Sequence, residues 1–246
     1  MALLRASRGA TLKMMDLLRA ELREKLRALA DEKYRAFSQK LIPEETRIIG
    51  VRVPLLRELA KAYRGRELEL LATMGTPHFM EEIMVDSFLY AQVAASMPYK
   101  NQMLYLEKLV PLLNNWALCD TCCASLKYVR KQRSEYWPWL CEQSCASSPW
   151  SQRFAVVMML NHYLIDSYRD AVLELMEKVS SEHYYVSMAV AWAISICYIK
   201  YPSVTFEYVK NSKLPTITIN RAIRKIRESR QVNEAEKEMI TLLKRS

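Results

Sequence analysis

Residues 12–29 read LKMMDLLRAELREKLRAL. Leu12, Met15, Leu18, Leu22, Leu26 and Leu29 recur at steps of three and four, the period of one face of an α-helix. The same period returns along the chain. Leu55, Leu56, Leu59 and Ala60 follow Pro54, and Met103, Leu104, Leu106, Leu109 and Val110 run up to Pro111. Phe154, Val157, Met158 and Asn161 form a fourth set, and Val172, Leu173, Leu175 and Met176 a fifth. Met239, Ile240, Leu242 and Leu243 close the chain. Ser148-Pro149 reads as an N-cap followed by proline in the first helical turn, and Thr76-Pro77 has the same form. Pro98, Pro111, Pro138, Pro202 and Pro215 fall between periodic segments and mark the joints. Roughly a dozen helices joined by short turns are expected, with no stretch long enough to be a linker. Residues 1–246 therefore read as a single domain.

Glycine supports the helical reading. There are four in 246 residues, Gly9, Gly50, Gly65 and Gly75, far below the usual ~7%. They form neither GxGxxG nor GxxxxGK, so a nucleotide-binding loop, and with it a nucleotide cofactor, is not expected. The expected fold is all-α. Antiparallel helix pairs stacked in chain order would make an α-solenoid, and HEAT-type units of about 40 residues would fit about six times. Residue identity does not repeat, so a globular bundle is the other arrangement. A solenoid would offer a concave groove suited to a long polymer.

The apolar stretch YYVSMAVAWAISICYI, Tyr184 to Ile199, is shorter than the ~20 residues of a spanning helix and carries Ser187 and Ser195. It reads as a buried helix. The start, MALLRASRGATLK, lacks the apolar core and cleavage site of a secretory signal. Six cysteines in such a chain read as reduced thiols in a cytoplasm. The formal charge of +9 favours an acidic partner, most commonly nucleic acid. Between Lys210 and Arg230, seven cations face only Glu228. Arg221, Arg224 and Lys225 stand at i, i+3 and i+4, on one helix face. That face is either a solvated surface or a phosphate-facing patch.

Among candidate chemical groups, Cys119-x2-Cys122 and Cys141-x3-Cys145 approach a zinc spacing. No glycine is near to make a knuckle, and both pairs fall in helical pattern, where cysteine is an ordinary core residue. His78, His162 and His183 show no metal-ligand spacing, so no metal site is expected. Trp116 and Asp120 share a helical face after Asn114 and Asn115. They are either a core tryptophan with a surface aspartate or a site. Arg153 opens a helix and could bind phosphate or pair with an acid, while Trp192, in SMAVAWAISICY, reads alone as core.

Five stretches together carry a resemblance: FSQKLIPEETRIIGVRVPLLRELAK (Phe37–Lys61), NNWALCDTCCASLK (Asn114–Lys127), WSQRFAVVMML (Trp150–Leu160), YYVSMAVAWAISICYIKYP (Tyr184–Pro202) and INRAIRKIRES (Ile219–Ser229). In this order they resemble the AlkD-like family of DNA alkylation repair proteins, built from HEAT-like repeats. The resemblance implies excision of cationic alkylated purines, N3-methyladenine and N7-methylguanine, from double-stranded DNA. It implies a site in which Trp116 and Trp192 flank the deoxyribose and Asp120 stabilises positive charge, with the base needing no enclosed pocket. Arg153 matches the family's phosphate-binding arginine, and Tyr34 corresponds to a tyrosine of its first repeats. Lys127, Arg130, Lys131 and Arg133, and later Arg221, Arg224 and Lys225, would hold phosphates. The expectation is thus a monomeric, cofactor-free DNA glycosylase of a bacterial-type, nucleoid-associated cytoplasm. A non-catalytic DNA-binding member of the family and a protein-binding helical scaffold are the alternatives.

Overall fold

The computed structural model describes residues 2–42, 45–74, 77–179 and 183–246, with side chains from residue 14 onward. The described residues form fourteen α-helices, three short 3-10 turns and no strand. They divide into two compact units, residues 1–128 and 129–246.

The first unit holds α1 (Ala2–Ala28), α2 (Glu32–Gln39), α3 (Val53–Ala62), α4 (Glu67–Leu71), α5 (Met80–Val93), α6 (Tyr99–Leu109) and α7 (Trp116–Ser125). Helices α3, α5 and α7 pack side by side, with α4 and α6 also against α5 and α1 against α4. The second unit holds α8 (Arg133–Ser144), α9 (Pro149–His162), α10 (Arg169–Lys178), α11 (Tyr184–Lys200), α12 (Pro202–Asn211), α13 (Thr216–Glu228) and α14 (Glu234–Thr241). Here α9, α11 and α13 form the row. Helix α8 packs on α9, α10 and α12 on α11, and α14 on α13. In both units alternate helices neighbour each other and the intervening helices back them. This is the local packing from which helical-repeat proteins are built.

Burial explains the rows. Leu18, Leu22 and Leu26 of α1 are buried, as their spacing predicts. Helix α11 buries Val186, Ala189, Val190, Ala193, Ile194 and Cys197, so the Tyr184–Ile199 stretch is a core helix. No helix among the described residues is long and apolar enough to cross a membrane. Ser148 caps α9 by accepting from the Ser151 N–H at 3.4 Å, with Pro149 in the first turn.

Several expectations change. Leu55, Leu104, Met239 and Leu242 are exposed rather than core. Leu55 and Met239 sit one residue, and Leu104 and Leu242 two residues, off the face that the buried Leu56, Leu106 and Ile240 define. Pro138 is not a joint but lies inside α8. It is solvent-exposed, where a lost backbone hydrogen bond is replaced by water. The Thr76 N-cap lies outside the described residues.

Helix α5 is buried from its first residue, Met80, to Tyr90, three carboxylates included. Glu81 accepts from the Ile49, Gly50 and Val51 N–H groups, the Gly50 contact at 2.7 Å. Glu82 takes Arg23 at 3.0 Å, and Asp86 takes Arg19 at 2.9 Å. Buried charge is tolerated only when answered in this way. Burial still pushes the Asp86 carboxyl up to about 6, against the opposing pull of Arg19.

Candidate functional site

Helix α7 begins on a buried Asn115, whose side chain accepts from the Leu118 N–H at 2.9 Å and donates to Asn114 Oδ1 at 3.0 Å. That cap fixes where the helix starts and therefore where Trp116 points. The Trp116 indole N–H donates to the Leu41 carbonyl at 2.8 Å, which pins the ring. Asp120 follows one turn later on the same side of the helix. Both side chains are half-buried, while Leu118, Cys119, Cys122 and Cys123 form the inner face. A half-exposed indole therefore stands beside a half-exposed carboxylate on a rigid helix.

In the second unit, α11 is exposed at its ends, Tyr184 and Lys200, and otherwise buried except for a half-buried stripe at Tyr185, Met188, Trp192, Ile196 and Ile199. Trp192 is thus a half-exposed side chain and not part of the core. Arg153, in the second turn of α9, is only 5% exposed, and its Nη1 donates to the Tyr185 carbonyl at 2.5 Å. Its guanidinium is tied to the helix that carries Trp192. A family model described as DNA alkylation repair enzyme matches residues 22–226, from α1 through α13. The chain belongs to the DNA alkylation repair enzyme family. No curated protein matches it. Family membership gives the protein a role in alkylation repair, with DNA as its partner.

The basic residues of this alkylation repair protein differ in how free they are. Lys127 is exposed in the turn Lys127–Lys131. Arg130, in the same turn, donates to His162 Nδ1 and to the Asn161 carbonyl, both at 3.2 Å. Arg133 donates to the His162 carbonyl at 2.5 Å. Both arginines therefore close the end of α9 as well as carrying charge. On α13 the buried face is Ile219, Ala222, Ile223 and Ile226. Arg224 is exposed opposite it, with Arg221 and Lys225 half-buried at its flanks. The three share a side, as their spacing predicts. Tyr34, on α2, carries the Arg52 guanidinium over its ring at 4.6 Å.

The cysteine pairs lie on α7 and at the end of α8, and all six thiols are unbridged. Burial pushes the Cys122 and Cys123 thiols far up, and the neighbouring Cys119 adds to this. Protonated thiols are poor nucleophiles. No group of three or more metal-ligating side chains occurs among the described residues.

Sequence reasoning assigns no role to several groups. Arg57 of α3 lies 4.2 Å over the Phe88 ring and donates to Ser125 Oγ of α7 at 3.4 Å. It lines an open groove of about 510 Å³ with Lys61 and Arg64. The i, i+4, i+7 spacing of these three cations was the available signal. A second overlooked set is aromatic: Trp150, His183, Tyr184 and Tyr185.

Proposed function

We propose that the protein is a DNA glycosylase that removes cationic alkylated purines, such as N3-methyladenine and N7-methylguanine, from double-stranded DNA. It would act as a monomer without metal or cofactor. The observation that carries this reading is the Trp116–Asp120 pair on α7, a pinned indole and a carboxylate one turn apart, both accessible from solvent.

The chemistry suits these groups. An alkylated purine already bears positive charge and leaves as a neutral base, so it needs little acid assistance. As the N-glycosidic bond breaks, positive charge develops on the deoxyribose. Asp120 stabilises that charge and orients the water that adds to C1′, accepting its proton. The products are the free purine and an abasic site. The Trp116 face beside Asp120 attracts the cationic sugar, worth about 0.5–2 kcal/mol, and Trp192 would offer a second such face. Lys127, Arg130, Arg153, Arg221, Arg224 and Lys225 would hold phosphates, which makes binding strongly salt-dependent.

The test is base release from duplex DNA carrying N7-methylguanine, with chelator present, for the wild type and Asp120→Asn. Release by the wild type alone, with equal DNA binding by both, supports the reading. Equal release by both removes Asp120 from the mechanism. Salt-dependent binding with no release, repeated on N3-methyladenine DNA, identifies a non-catalytic DNA-binding member of the family. Salt-insensitive, weak binding identifies a protein-binding scaffold.

A further inference from the structure

Four aromatic side chains that play no part in the reaction above stand together where α9 and α11 begin. The Trp150 ring packs on Tyr185 at 5.2 Å between centroids, tilted by 32°. His183, the N-cap of α11, lies 5.9 Å from each of these two rings. Tyr184 meets Tyr185 edge-on at 5.3 Å. These rings are not core. Tyr184 is 54% exposed, His183 is exposed, and Trp150 and Tyr185 are half-buried.

A cation is built into the cluster. The Arg221 guanidinium of α13 lies 4.9 Å from the centre of the Tyr184 ring. Its Nη1 donates to Ser187 Oγ at 2.8 Å, and Ser187 is itself hydrogen-bonded to Thr218 at 2.8 Å. The arginine is therefore held in place by buried neighbours. From Arg221 an open groove of about 640 Å³ continues past Arg224, Arg227 and Lys244, and no carboxylate lines it.

An exposed, braced aromatic ring beside a row of cations is the combination that binds unpaired nucleic acid. The ring takes a base face and the cations take the backbone. A paired base inside a duplex offers no free face to such a ring. We propose that Tyr184, with Arg221 against it, stacks one unpaired nucleobase of DNA, while the α13 cations hold the adjoining phosphates. Trp150, His183 and Tyr185 are positioning residues that brace Tyr184. The inference requires that DNA be the ligand. It does not depend on base release by Asp120.

The experiment uses three labelled, unmodified DNAs: a blunt duplex, the same duplex with one unpaired nucleotide, and a single strand. Fluorescence anisotropy of the full chain should show the bulged duplex bound on the order of tenfold tighter than the blunt one. Tyr184→Ala should erase that preference and leave blunt-duplex affinity unchanged, and Tyr184→Phe should keep it. Arg224→Ala should weaken all three. With 2-aminopurine at the unpaired position, the wild type should quench the probe on binding and Tyr184→Ala should not. This second readout tests the site within a single complex. A wild type without preference for the bulge, or a Tyr184→Ala protein that retains it, overturns the proposal. So does absence of binding to all three DNAs. Base release is scored separately, so a protein that stacks a base without excising one would leave this inference standing and remove only the glycosylase reading.

Discussion

The Trp116 indole reaches across 75 residues of chain to donate to the Leu41 carbonyl at 2.8 Å. The bond fixes the plane of a ring that would otherwise swing at the open end of α7, one turn from Asp120. Trp116→Phe keeps an aromatic face and deletes the donor. The Leu41 carbonyl can turn to water, so the stability cost should be about 1 kcal/mol or less. Base release should fall more steeply, by about tenfold or more, because phenyl is the weaker cation partner and the ring is no longer held. Single-turnover kinetics and a denaturant melt measure the two effects separately. Full activity in the Phe variant would remove the Leu41 contact from the mechanism.

Arg153 joins α9 to α11 through the Tyr185 carbonyl and keeps only a small exposed edge. Arg153→Ala should weaken binding to alkylated and unmodified duplexes alike, since a phosphate contact carries no base information. It should also reduce the slope of log affinity against log salt by about 1. Its thermal midpoint should drop as well, because a tie between neighbouring helices is lost. Titrations at several salt concentrations on paired duplexes check this. A loss confined to alkylated DNA would reassign Arg153 to the lesion.

Much of this was legible because it is local. Helix period alone places Asp120 beside Trp116 and puts Arg221, Arg224 and Lys225 on one side. The Ser148-Pro149 pair starts α9 where the cap rules say it should. What stayed hidden depends on distant partners. Nothing local marks Glu81, Glu82 and Asp86 as buried, yet they are, answered by Arg19, Arg23 and the N–H groups of residues 49–51. Trp150 and Tyr185 are 35 residues apart and meet only because α9 and α11 pack together. Pro138 misled because its place on an exposed helix face depends on which side of α8 is covered.

Asp86 should leave a signature in the pH dependence of stability. Burial raises its folded-state value to about 6 from an ordinary 3.8, so the folded protein binds this proton more tightly than the unfolded chain does. Its contribution is therefore full below about pH 4 and is lost as pH rises towards 6. Asp86→Asn retains an acceptor for Arg19 and removes the titration. Between about pH 3 and 7, wild-type stability should decline by about 3 kcal/mol relative to the variant, then run parallel to it at higher pH. Urea melts of both proteins across this range provide the comparison. Parallel curves throughout would show that the carboxyl titrates normally.

Two glycines with positive φ separate backbone strain from steric need. Gly65 has φ +87° and open space where a Cβ would project. Gly50 has φ +99°, and a Cβ there would lie 2.6 Å from Arg35 Cβ and 2.8 Å from the Asp31 carbonyl. The Gly50 N–H also donates to the buried Glu81 carboxylate at 2.7 Å, and its carbonyl accepts from the Asp31 N–H at 3.0 Å. Gly65→Ala should therefore cost only the left-handed backbone strain, about 1 kcal/mol. Gly50→Ala must in addition push α2 away and loosen the cap on a buried charge, so it should cost about 3 kcal/mol or more. Because α2 leads into the Leu41 turn that pins Trp116, Gly50→Ala should also lower base release at temperatures where the variant is still folded. Gly65→Ala should not. Equal destabilisation by the two substitutions would mean that the Glu81 cap and the α2 contact contribute nothing beyond backbone strain.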